Sequence, residues 1–80
     1  LSAQNRANED VELLKMRVDN YVTQSGFESD RGDYYNAIDN LQKALELAKK
    51  VNDKKSTGNI YTKIAKLQYL VEEPENAWIF

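Results

Sequence analysis

Two acidic pairs, Glu9-Asp10 and Glu72-Glu73, are the nearest this chain comes to a general acid–base couple. Such a couple works when environment splits the two carboxyl groups into one acid and one base. A histidine is the commonest partner in that proton transfer, and the chain has no histidine and no cysteine. The same absence removes thiolate nucleophiles, disulfides and the usual zinc ligand sets. Ser25, Ser29, Ser56 and Thr57 offer hydroxyls without a local base to activate them. Asp30 and Asp33 flank Gly32 but lack the ligand count of a calcium loop. No glycine-rich phosphate cradle precedes a helix. The acidic pairs therefore read as solvated helix ends. The expectation is a protein that is not an enzyme and needs no cofactor or metal.

One basic cluster remains, Lys49, Lys50, Lys54 and Lys55. A nucleic-acid binder shows a basic stripe on a strongly positive domain. Here 11 basic and 13 acidic residues leave a net charge of −2, with both signs interspersed. The cluster reads instead as a helix C-terminus complementing its own dipole, and direct nucleic-acid binding by this segment is not expected. No apolar run reaches the ~18 residues of a membrane span. At 80 residues the chain makes one small domain with a thin core. One proline and three glycines leave little room for a many-turned β fold.

The elements follow from periodicity. Residues 1–8 read as a polar tail, with Asn8 capping a helix whose first turn holds Glu9, Asp10 and Glu12. Val11, Leu14, Val18, Tyr21, Val22 and Ser25 recur at 3–4 spacing along one face, which Leu13, Met16 and Phe27 widen. That helix runs to about Ser29 and breaks at Gly32-Asp33. The second, about Asp33 to Val51, carries a stripe of Tyr34, Ala37, Ile38, Leu41, Ala44, Leu45, Ala48 and Val51. Asp33 is its expected N-cap, and Asn52-Asp53 ends it. The third starts between Asp53 and Thr57 and reaches about Val71, with Ile60, Ile64, Leu67 and Val71 on one face and Tyr61, Ala65 and Tyr69 beside it. So wide an apolar surface suits a helix packed on two sides. Pro74 precedes the start of a fourth helix, Glu75 to Phe80. Periodicity alone would give a three-helix bundle.

A repeat is visible across these helices. Forty positions separate Tyr21 from Tyr61, and Ala37 from Ala77. Gly32-Asp33-Tyr34 followed by Ala37, Leu41 and Ala44 resembles the loop and second helix of a tetratricopeptide repeat. Tyr61-x-x-Ile64-Ala65 resembles the opening of its first helix. The period exceeds the family's 34, the extra residues falling around Lys49 to Thr57. In this it resembles the long-repeat variety that precedes histidine kinases and DNA-binding regulators in bacterial signalling proteins. Gln24, Ser25 and Glu28 depart from the apolar pattern, Glu72 stands in place of a glycine, and Pro74 in place of an aromatic.

The resemblance implies an all-α, right-handed superhelix of antiparallel helix pairs, about three helices plus the start of a fourth. Residues 9–51 would form a first repeat and 53–80 an incomplete second. It implies a protein- or peptide-recognition module, a piece of a larger signalling or regulatory protein. The first helix of each pair would line a concave face, which assigns peptide contacts to Asp19, Val22 and Gly26, and to Asn59, Thr62, Lys63, Lys66 and Tyr69. The alternative is a structural homodimerisation module, with Trp78, Ile79 and Phe80 packing across a two-fold axis. Leu1-Ser2-Ala3-Gln4 resembles the tail of a secretory signal, which favours an extracytoplasmic location.

Overall fold

In the structure, a computed structural model, the backbone is described for residues 3–73 and the side chains for 10–73. Three helices follow one another: α1 (Ala3–Asp30), α2 (Tyr34–Lys50) and α3 (Lys54–Glu72). The described residues contain no strand, and the fold is all-α. None of the helices is long and apolar enough to cross a membrane.

α2 is the shared element. Its stripe buries Ala37, Ile38, Leu41, Ala44 and Ala48, and both other helices pack against it while barely meeting each other. Three of those five are alanines with no exposed surface. A methyl side chain lets a neighbouring helix approach closely, so α2 can receive a helix on two sides. Leu41 and Ile60 are the largest fully buried side chains. Ile64, Leu67 and Leu70 complete the α3 side, and among the described side chains of α1 Val18 is the one buried apolar residue. The result is an open layer rather than a closed three-helix bundle.

Several sequence expectations shift. α1 begins at Ala3, so Asn8 lies inside the helix and no acid stands in its first turn. Residues 3–8 include good helix formers and neither glycine nor proline, so nothing local stops the helix there. Leu13, Met16 and Phe27 do not widen the buried face; each is more than half exposed, on the side of α1 turned away from Val18. At 100° per residue they stand about opposite Val18 and Ser25. On α3, Leu70 joins the core while Tyr61, Ala65 and Tyr69 are exposed, so α3 packs on α2 with one face and not, as expected, on two sides. Lys49 and Lys50 do fall in the last turn of α2, but Lys54 and Lys55 open α3 and complement no C-terminus. Pro74, the fourth helix and Trp78, Ile79 and Phe80 lie outside the described residues.

The two polar departures on α1 are accommodated by hydrogen bonds. Ser25 is buried and its hydroxyl donates to the Val22 carbonyl at 2.6 Å. Glu28 is also buried, and its Oε1 accepts from Asn40 Nδ2 of α2 at 2.6 Å. A buried polar group with its partner in place costs little, whereas an orphan costs its full desolvation.

Candidate functional site

With α1 and α3 both seated on α2, a groove runs between them. Its first part is a depression of about 450 Å³. Val18 and Val22 from α1 and Ile60 from α3 give it apolar lining, and Asp19, Thr23, Ser56, Asn59 and Lys63 give it polar lining. A second depression of about 160 Å³ adjoins it, with Lys63 lining both. The second is more apolar, bounded by Leu41, Leu67 and Leu70, with Ser25, Ser29 and Lys66.

The polar groups differ in how they are engaged. Ser56 is used by the fold: its N–H and hydroxyl both donate to the Asp53 carboxylate, at 3.1 and 2.8 Å. Those bonds, the backbone one first, hold the Asp53 carboxyl below its ordinary value of 3.8, with Lys15 and Lys55 adding to the effect and burial opposing it. By contrast, no hydrogen bond or ion pair within the described residues engages Asn59, Lys63 or Lys66. All three are exposed at the groove. They are donors, and in the case of Asn59 also an acceptor, with no partner among the described residues.

Of the residues singled out from the sequence, the structure gathers Asp19, Val22, Asn59 and Lys63 at the first depression and Lys66 at the second. Thr62, Tyr69 and Gly26 line neither. Helix phase is the reason. Asn59, Lys63, Lys66 and Leu70 share one stripe of α3, while Thr62 and Tyr69 are rotated toward its outer side. The Thr62 hydroxyl donates instead to the Gly58 carbonyl at 3.1 Å. The groove also includes Thr23, Ser29 and Ser56, which sequence reasoning left out of it. Extending the 3–4 spacing of Asn59 and Lys63 back one turn would have found Ser56.

The groove sets ammonium and amide groups beside apolar lining. Apolar lining below polar groups suits an extended chain, whose side chains seat on the apolar part while its amides meet the polar groups. Among the described residues no group of three or more acidic, histidine or cysteine side chains could hold a metal ion. No family model, curated protein or solved structure matches this chain.

Proposed function

We propose that this chain is a protein- or peptide-recognition module, built on tetratricopeptide-like helix packing, that takes an extended partner segment in the α1–α3 groove. The observation that carries the reading is the set of unengaged polar side chains, Asn59, Lys63 and Lys66, aligned beside apolar lining in one groove. Asn59 can pair with a backbone amide of the partner, and the two lysines favour an acidic partner over a basic one. Within a larger signalling or regulatory protein, such a module would couple partner capture to an output domain.

The test is to pan the full 80-residue chain against a displayed library of random peptides, then titrate a selected peptide by fluorescence anisotropy. Saturable binding is expected, weakened about tenfold or more by Lys66→Glu and by Asn59→Ala. A chain that selects no peptide, or a selected peptide indifferent to both substitutions, would sink the proposal.

A further inference from the structure

A further depression, of about 330 Å³, lies where α2 begins and α3 ends. Gly32, Asp33, Tyr34 and Tyr35 line it from the first turn, and Leu70 and Val71 from the last turn of α3. It shares only Leu70 with the groove. Tyr35 is 72% exposed, the most exposed of the large hydrophobic side chains among the described residues. No hydrogen bond or ring contact among those residues engages it. An aromatic ring beside a concave apolar surface is a seat for another large apolar side chain.

The chain itself brings such side chains to this place. The Glu73 N–H closes the last turn of α3 on the Tyr69 carbonyl at 2.8 Å, and the Glu73 backbone, at φ −131 and ψ 66, has left the helical region. Pro74 comes next and has no N–H with which to carry the helix on. The chain therefore leaves the α3 axis two residues past Val71, which lines the depression. Trp78, Ile79 and Phe80 stand five to seven residues beyond Glu73, on a tether of about 17 to 25 Å when fully extended. One reversal after Pro74 returns them to Val71 and Tyr35. So short a tether gives an effective concentration on the order of millimolar, which favours this segment over a second copy. Asp33 is the one charged residue lining the depression. Its carboxylate is an acceptor, and an indole N–H is a donor that needs one when buried.

We infer that residues 74–80 of this chain fold back over the end of α3 and seat Trp78 against Tyr34, Tyr35, Leu70 and Val71, with its indole N–H on Asp33. Seating Trp78 withdraws it from pairing across a two-fold axis and holds the segment leaving α3 against the start of α2. The inference does not rest on peptide binding in the groove.

Trp78 is the chain's one tryptophan, so selectively excited emission from the full chain reports on that side chain alone. The expected emission is blue-shifted from that of free N-acetyltryptophanamide and several-fold less quenched by acrylamide. Tyr35→Ala and Val71→Ala should each shift it to the red and remove most of that protection. Tyr35→Ala removes an exposed ring and inserts the best helix former, so an unchanged circular dichroism spectrum separates lost seating from unfolding. Tyr61→Ala, on the outer face of α3, should alter neither emission nor quenching. Dilution from about 100 to about 1 μM should alter neither as well, because the seating lies within one chain. Emission like that of the free indole overturns the inference. So does protection that survives both Tyr35→Ala and Val71→Ala, wherever else the segment then packs. Protection that fades on dilution overturns it too, and would place Trp78 between two copies.

Discussion

At residues 28–33 and again at 48–53, a helix ends in the same hydrogen-bond pattern. The Asp33 N–H donates to the Glu28 carbonyl at 2.8 Å, and twenty positions on the Asp53 N–H donates to the Ala48 carbonyl at 3.0 Å. Inside each ring the Gly32 N–H meets the Ser29 carbonyl and the Asn52 N–H meets the Lys49 carbonyl. Both are Schellman endings, with Gly32 at φ 80 and Asn52 at φ 56 in the left-handed region. An aspartate then begins the next helix each time. The likeness stops at that residue. The Asp53 carboxylate accepts from Ser56 as a true N-cap, whereas the Asp33 carboxylate caps no backbone N–H and accepts from the Asn36 amide at 2.8 Å. The first turn has instead a clasp between helices, the part-buried Glu28–Asn40 bond, with Lys43 over the Tyr21 ring at 5.9 Å. The second turn has its local cap, with Lys49 over the Tyr61 ring at 5.4 Å. A helix pair can thus be held in register by a long-range polar bond or by a short-range one.

If that contrast is right, the first turn should break from a distance and the second from within. The largest effect is expected for Asn40→Leu, which leaves the buried Glu28 carboxylate unpartnered and should cost about 2–3 kcal/mol in urea unfolding. A domain of this size has only about 4–12 kcal/mol to lose, so a neutral result would show that the clasp does not hold α1 to α2. Gly32→Ala comes next, at about 1–2 kcal/mol, because it forces a Cβ into the left-handed region. Space is not the obstacle there, since an added Cβ meets nothing within 4 Å.

Asp53→Ala should lower the melting temperature by removing the cap of α3, and Asp33→Ala should lower it less. Acid sharpens the distinction. The Asp53 carboxyl is depressed in the folded state, so its contribution is present above its unfolded value near 3.8 and is lost as pH falls through the lower folded value. The gap between the parent chain and Asp53→Ala should therefore be full at neutral pH and close only as pH falls from 3.8 through the lower folded value. A gap unchanged at low pH would mean that the carboxylate is not the stabilising species. The smallest effect is expected for Asn52→Gly, no more than about 0.5 kcal/mol, since asparagine already tolerates the left-handed region. A large gain there would show that φ 56 is strained after all.

Much of this architecture was legible before any coordinates. The α2 stripe from Tyr34 to Val51 is a strong 3–4 pattern, and five of its members are buried as that pattern requires. Gly32-Asp33 and Asn52-Asp53 marked both turns, because local chemistry alone sets where a helix stops. α1 was harder to read. Its apolar residues occur on two faces, and periodicity cannot say which face is covered when a partner helix chooses between them. Leu13, Met16 and Phe27 were assigned to the wrong side for that reason.

The groove shows the same division. Asp19, Val22, Asn59, Lys63 and Lys66 reached it through the resemblance to a helical repeat, while Thr62 and Tyr69 belonged to a neighbouring stripe of the same helix. By itself the sequence determined helix identity, the two turns and the absence of histidine and cysteine chemistry, because these depend on residues close in the chain or on composition. Only the tertiary structure decided which face of α1 is buried, that Glu28 is satisfied by Asn40, and which side chains meet across the groove. Those depend on the rotation of each helix about its own axis, which is set by packing against α2 and not by any neighbour in sequence.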